Sequence, residues 1–321
     1  MRALVTGGAG FIGSTLVDRL LAEGHAVDVV DDLSTGTLTN LGDARSAGGG
    51  AEFTFHRIDI RTPEVTELIA RRRPDVVFHL AAQMDVRVSV ERPVFDAEIN
   101  ILGSLNVLEG ARQAGTRKVV FASSGGTIYG DPDPVELPVR ETHPQQPLSP
   151  YGVSKKAVGD YLVAYRQLHD LEFTALALAN VYGPRQNPHG EAGVVAIFGR
   201  RLLADEPCTL FGDGSSTRDY VFVDDVVDAF ARSAEGADGL LLNIGTGVET
   251  ALRRLYDAVA HAAGSDAEPL YAPERPGELS RSCLDPGRAG VHLGWRPWTT
   301  LEQGVSATVD SFRSPSQSES I

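Results

Sequence analysis

The spacing of apolar residues changes repeatedly along the chain, and each change marks an element. Ala3–Thr6 is a short apolar run that stops at glycines and reads as a buried strand. From Phe11 to Glu23 apolar residues recur at helical spacing (Phe11, Ile12, Leu16, Leu20, Leu21), and Gly24 ends the pattern. Further strands are predicted at Ala26–Val30, Glu52–Ile58 and Asp75–Leu80, with a helix over Glu64–Arg73 stopped by Pro74. A long helical pattern covers Phe95–Ala114. Lys118–Ala122 reads as a strand, Tyr151–Asp170 as a second long helix and Thr174–Ala179 as the next strand. The glycine-rich stretch Gly42–Gly50 reads as a loop.

Strands alternating with helices across short connections predict an α/β fold with a parallel, doubly wound sheet and helices on both faces. Beyond residue 180 prolines such as Pro184, Pro207, Pro273 and Pro286 break the rhythm. The expected organisation is a dinucleotide-binding domain over 1–180, to which 219–249 returns. A smaller substrate-binding lobe over 181–313 and a disordered polar tail over 314–321 complete it.

The chain has 321 residues, and its 43 acids against 29 bases give a net charge of −14. This opposes any general attraction for nucleic acid or anionic lipid, so a bound phosphate must be held by local geometry. Two distant cysteines, Cys208 and Cys283, exclude a disulfide framework and a cysteine zinc site, and no metal is expected. No apolar run reaches the roughly 18 residues of a membrane helix, and a soluble, cytoplasmic protein is expected.

The first strand runs into Gly7-Gly8-Ala9-Gly10-Phe11-Ile12-Gly13, and a helix follows. Glycine suits a tight turn that must approach a ligand, and the helix start offers N–H groups and a positive dipole end to a pyrophosphate. Asp31, at the end of the second strand, lies 18 residues past Gly13. A carboxylate there accepts from the adenosine ribose and repels a 2′-phosphate, which favours NAD over NADP. Asp59-Ile60 follows the third strand, where an Asp can meet the adenine amino group.

Tyr151-Gly152-Val153-Ser154-Lys155 places a phenol and an amine one turn apart on one helix face. An adjacent ammonium favours phenolate, which makes the tyrosine a candidate base, and Lys155 can also hold the nicotinamide ribose. As a bare pattern this spacing is common; its place after the fifth strand gives it weight, because ligands bind at the carboxyl edge of such sheets. Ser124, ending that strand, is the candidate donor that polarises the reacting oxygen.

Taken together these residues resemble the extended short-chain dehydrogenase/reductases of the NAD-dependent epimerase/dehydratase family, over about residues 1–313. Within that family the sequence is similar to the UDP-glucose 4-epimerases of actinobacterial type. The segments that carry the resemblance are Thr6–Gly13, Asp31-Asp32-Leu33-Ser34-Thr35-Gly36, His79-Leu80-Ala81-Ala82-Gln83, Ser123–Gly130 and Tyr151–Lys155. Two more are Asn180-Val181-Tyr182-Gly183-Pro184-Arg185 and Arg218–Asp225 with Tyr220. The resemblance implies a Rossmann domain with tightly bound NAD and a UDP-hexose substrate. Phe11 and Ile12 would cover the pyrophosphate, Leu80, Ala81 and Ala82 would line the cofactor, and Asn100 would sit near it. Asn180 would contact the sugar nucleotide, Arg218 and Arg275 would grip its diphosphate and Glu278 would hold the uridine ribose. Ser282 stands where the family's pocket-size residue sits, and a serine leaves room for an N-acetyl group. The helices Phe95–Ala114 and Tyr151–Asp170 resemble those that pair across a homodimer.

One departure concerns the hydrogen-bond donor. Many epimerases place it four residues before the tyrosine of Tyr129-Gly130, which here is Gly125. A one-residue insertion restores Ser124 and leaves Ser123 and Thr127 as lesser candidates. The dehydratases and decarboxylases that resemble this chain carry acidic residues just after the Ser/Thr. Gly125 and Gly126 occupy those slots, so the chemistry left is hydride transfer at C4 and its reversal. An epimerase on UDP-glucuronate or a deoxythymidine-linked hexose, or a non-catalytic NAD-binding regulator, are the competing readings.

Overall fold

Apolar residues at successive positions put both faces of a strand under cover, and the valine-rich segments of this chain do so. The computed structural model describes residues 1–46, 52–187, 193–274 and 279–313. The first half comprises β1 (Arg2–Thr6), α1 (Phe11–Ala22), β2 (Ala26–Asp31), α2 (Gly42–Ser46), β3 (Phe53–Arg57), α3 (Pro63–Arg72) and β4 (Val76–His79). Then come α4 (Val86–Glu91), α5 (Pro93–Ala97), a π-helical turn (Glu98–Gly103), α6 (Ser104–Ala114), β5 (Lys118–Ser124), α7 (Gly125–Ile128), α8 (Pro150–His169) and β6 (Glu172–Leu178). The second half contains β7 (Asn180–Tyr182), α9 (Val194–Leu203), β8 (Thr209–Phe211), β9 (Thr217–Arg218), β10 (Tyr220–Phe222), α10 (Val223–Ser233) and β11 (Leu240–Ile244). It ends with β12 (Thr250–Ala251), α11 (Leu252–Ala263), β13 (Leu270–Ala272), α12 (Gly287–Leu293) and α13 (Leu301–Arg313).

Seven parallel strands form one sheet in the order β11-β6-β5-β4-β1-β2-β3. The order reverses between β1 and β4, which opens a crevice at their carboxyl ends. Alternate residues serve opposite faces. Ala3 and Val5 of β1 join Leu16, Val17 and Leu20 of α1, whereas Leu4 joins Leu68 and Ile69 of α3 and Leu108 of α6. The first of these clusters continues into Val195 and Phe198 of α9, Tyr256 of α11 and Val305 of α13, so the second half shares its core with the sheet.

The predicted strands and helices of the first half are present to within a few residues. β11 returns to the sheet beside β6, in register Leu240↔Thr174 to Ile244↔Leu178, as the regular pattern of that stretch suggests. Three expectations change. Gly42–Ser46 is a short helix rather than loop. Helix α4 was not anticipated; Asp85 caps it by accepting from the N–H groups of Arg87 and Val88. The pattern Phe95–Ala114 is not one α-helix, because its first part widens into the π-helical turn around Asn100. The tail 314–321 lies outside the described residues.

Candidate active site

The glycine turn is shaped by contacts that admit no side chain. Gly7 has φ +69°, and a Cβ there would lie 2.7 Å from the Ala81 nitrogen at the end of β4. A Cβ on Gly13 would lie 2.1 Å from the Gly7 oxygen. Helix α1 starts from Gly10 without a side-chain cap and without an acid in its first turn, so its positive end is free for an anion. Phe11 and Ile12 sit half-buried at that end.

Asp31 is buried beneath the turn. Its Oδ2 accepts from Ala9 N–H at 2.9 Å and its Oδ1 from Leu33 N–H at 2.8 Å, so the carboxylate read from sequence as a ribose ligand also ties the two loops together. Burial pushes its carboxyl above the usual range and those two donors pull it back. Each oxygen keeps acceptor capacity beyond these bonds, which a ribose hydroxyl can use. Asp32 accepts from the N–H and hydroxyl of Ser34 at 2.9 and 2.6 Å, while Ser34 and Thr35 are exposed. Gly36 packs against Ala9 so closely that a Cβ would fall 2.8 Å from its carbonyl carbon. Asp59 is engaged by Arg61, at 2.9 Å through both the backbone N–H and Nε, which holds its carboxyl below the usual range. Ile60 is buried against Gly103. Glycine cradle, uncapped helix and buried acid together fit a dinucleotide.

Across the crevice, Leu80 and Ala81 are fixed through Thr6, whose carbonyl and hydroxyl accept their N–H groups at 3.1 and 3.2 Å. Thr6 in turn meets His79 Nδ1 at 2.7 Å, and His79 Nε2 meets the Ser104 hydroxyl at 2.8 Å. Ser104 donates to the Asn100 carbonyl, which assigns the ring proton to Nε2. Burial first, and the charge of Lys155 second, push the imidazole down to about 3, so His79 is neutral. Ala82 leads to Gln83, whose backbone N–H and C=O are both held by the Asn100 side chain at 2.9 Å. That reciprocal pair ties the π-helical turn to the Gln83 loop. It also turns Asn100 inward, where it braces the Gln83 loop.

Ser124, Tyr151 and Lys155 meet at the carboxyl edge of β5. Ser149 caps α8 by accepting from Gly152 N–H, and Pro150 occupies the first helical position, so the helix starts where both reactive groups face the strand end. Tyr151, half-buried, shares a hydrogen bond with the Ser124 side chain. Lys155 is buried; its Nζ donates to the Ala122 carbonyl at 2.9 Å and stands 4.9 Å from the Phe121 ring centroid and 5.6 Å from that of Tyr151. Thr127 turns back to the Ser124 carbonyl at 3.4 Å and Ser123 is buried in the strand. Of the three hydroxyls, Ser124 is the one joined to Tyr151. Burial lowers Lys155 to about 8 and raises Tyr151 above the ordinary phenol range. The depression of the phenol expected from a neighbouring ammonium is therefore outweighed by desolvation.

The described residues expected from sequence to meet a substrate are held as follows. Asn180 is exposed just beyond β6, which pairs with β5 in register Ser124↔Leu178. Asp219, buried, binds the N–H and hydroxyl of Thr246 and the N–H groups of Gly247 and Leu284. It thereby places its neighbours Arg218 and Tyr220. Arg218 donates to the Thr217 carbonyl, which also accepts from Ser282 N–H at 3.2 Å. Tyr220 is buried, its ring nearly perpendicular to that of Tyr182 with centroids 6.5 Å apart. Gly125 is pressed on Leu284, where a Cβ would fall 2.3 Å from Cδ1, while Gly126 opens onto free space. Arg275 and Glu278 lie outside the described residues.

The model of the NAD dependent epimerase/dehydratase family matches residues 3–245. The chain belongs to this family. It is 54% identical to the UDP-glucose 4-epimerase of Mycolicibacterium smegmatis over 318 residues, covering 99% of this chain and 100% of that protein. Among solved structures it is similar to the UDP-glucose 4-epimerase of Thermotoga maritima with UDP-glucose, at TM-score 0.92 and 45% identity over 98% of this chain and 99% of that one. It is also similar to the Thermus thermophilus UDP-glucose 4-epimerase in complex with NAD, at TM-score 0.90 and 46% identity over 98% and 100%. The NAD dependence of the family agrees with the glycine cradle.

Sequence reasoning missed one group at this site. Asp96 of α5 is fully buried and accepts from the hydroxyl of Ser154, the residue before Lys155. The available signal was an acid four residues before Asn100 inside an apolar helical pattern.

Proposed function

We propose that this protein is a UDP-glucose 4-epimerase, interconverting UDP-glucose and UDP-galactose with a tightly held NAD. The observation that carries the reading is the Ser124–Tyr151–Lys155 group at the carboxyl edge of β5, flanked by Gly125 and Gly126, which supply no acid or base for elimination or decarboxylation. NAD, when bound, accepts the C4 hydride and returns it. Tyr151 takes the C4 hydroxyl proton and later gives it back, Ser124 donates to the same oxygen, and Lys155 supports the phenolate charge. Between the two transfers the 4-keto sugar turns over about its link to the diphosphate, so the nucleotide must be gripped while the sugar stays loose. Arg218, with Arg275 and Glu278, is assigned the grip, and Asn180 the sugar.

In this reading residues 1–180 with 219–249 hold the cofactor, 181–313 hold the substrate, and the protein works in the cytoplasm. Among the described residues no helix is long and apolar enough to cross a membrane, which agrees with that setting. Ser282 leaves room for an acetamido group. Incubation with UDP-galactose, UDP-N-acetylgalactosamine and UDP-glucuronate, with products separated by chromatography, tests this. Epimers of the first two are expected, and Ser282→Tyr is expected to suppress the second selectively. Turnover of UDP-glucuronate alone would overturn the reading.

A homodimer is part of the proposal. Val90 of α4, Val94 of α5 and Val153, Tyr161 and Val163 of α8 are exposed apolar residues on neighbouring helices, a surface suited to a second copy. Sedimentation at micromolar concentration is expected to give twice the 34.2 kDa chain mass; a monomer alone would refute the dimer.

A further inference from the structure

Asp96 and Lys155 are both buried at this site, linked through Ser154, which donates to Asp96 and directly precedes Lys155, and of the two only Lys155 figures in the reaction as described. Asp96 is fully buried in α5. Its Oδ2 accepts from the Ser154 hydroxyl at 2.6 Å, and its Oδ1 from Gln83 Nε2 at 3.0 Å and Asn100 Nδ2 at 2.9 Å. These three donors come from three separate segments. Gln83 belongs to the loop after β4, Asn100 to the π-helical turn and Ser154 to α8, directly before Lys155. A carboxylate held by three donors in the interior is a fixed charge, because neither rotation nor solvent can relax it.

Lys155 needs such a charge. Its surroundings are the Ala122 carbonyl and the Phe121 ring of β5, and a buried ammonium with one carbonyl acceptor is unstable against loss of its proton. Among the described residues, the charged group that acts on both Lys155 and Tyr151 is Asp96 from α5, while His79 from β4 is itself pushed down by Lys155. His79 is neutral, which leaves Asp96 as the negative charge. We propose that Asp96 is a positioning residue of the Tyr151–Lys155 pair, the fixed counter-charge that keeps Lys155 an ammonium and, through Ser154, seats the first turns of α8 on the strand ends.

The proposal rests on the reading of Tyr151 and Lys155 as the reactive pair, but its decisive readout needs no turnover. Removing the carboxylate charge removes what raises Lys155, so its titration midpoint must fall. The same change relieves Tyr151, whose phenolate Asp96 disfavours, so both limbs of a pH–rate profile move towards acid. Asp96→Asn is nearly isosteric: its amide oxygen can accept from Gln83 and Asn100, and its NH₂ can donate to the Ser154 hydroxyl.

The chain has three lysines, Lys118, Lys155 and Lys156, so carbon-13 NMR of labelled lysine side chains resolves Lys155, assigned with Lys155→Met and Lys156→Arg. The wild type is expected to titrate near the value of about 8 that its surroundings impose. Asp96→Asn is expected to titrate about one unit lower or more, with the alkaline limb of turnover moving in parallel. Ser154→Ala, which keeps the charge, is expected to stay within about half a unit of the wild type. An Asp96→Asn midpoint equal to that of the wild type overturns the proposal. So does an equally large fall in Ser154→Ala, which would assign the effect to packing. A wild-type midpoint below about 6.5 also overturns it, and that measurement requires no variant to fold. Failure of the sugar assay with the expected NMR shift would instead count against the epimerase reading alone.

Discussion

Tyr151→Phe is expected to lower kcat by roughly 10³-fold while leaving the fold and the bound NAD in place, since general acid–base catalysis contributes about 10²–10⁴-fold. The phenol shares a hydrogen bond with the Ser124 side chain, so the variant removes one hydroxyl and little packing. The loss is expected in kcat rather than in KM, because the hydroxyl does its work on a proton that moves only during the reaction. Steady-state rates with UDP-galactose, together with circular dichroism and cofactor content of the purified variant, check this. Turnover within a few-fold of the wild type would remove Tyr151 from the chemistry.

Gly13→Ala is expected to abolish retention of the dinucleotide. The added carbon would lie 2.1 Å from the Gly7 oxygen and 2.9 Å from the Gly8 Cα, both backbone atoms that cannot swing aside. The turn must open, which displaces the N–H groups at the start of α1 from any pyrophosphate. Overpacking of this kind costs about 1–3 kcal/mol, and loss of a ligand that binds only the folded state adds to it. A fall in Tm of several degrees is expected for a chain of this size. Absorbance of the cofactor released on denaturation, alongside a thermal melt, measures both effects. A full complement of NAD in the variant would exclude this turn as its seat.

What could be read from the sequence was local. The glycine turn is legible because strand, glycines and helix are contiguous, and Tyr151 with Lys155 because one helical turn separates them. The doubly wound order followed from alternation alone. What escaped reading depends on long-range contacts. Asp96 looks like any acid in a helix until Gln83 and Ser154, from distant segments, converge on it. The π-helical turn carries Asn100, which clasps the backbone of Gln83, an interaction that periodicity cannot show. Sequence leaves Ser123, Ser124 and Thr127 as alternatives because the bond between Ser124 and Tyr151 joins segments 27 residues apart. The short pairs β12–β9 and β13–β8 contain two or three residues per strand, too few for any pattern to register. The bond between Asp59 and Arg61, only two residues away, is local and could have been read from the sequence.

The carboxylate of Asp219 ties the order of synthesis to the order of consolidation. Its partners Thr246, Gly247 and Leu284 all follow it in the chain, the last by 65 residues. During synthesis that acid gains the Thr246 and Gly247 donors first, and its bond to Leu284 can form only after residue 284 has emerged. The sheet strands β1 to β6 need no such wait. The nascent chain can thus pair its first six strands before the loops that Asp219 joins are complete.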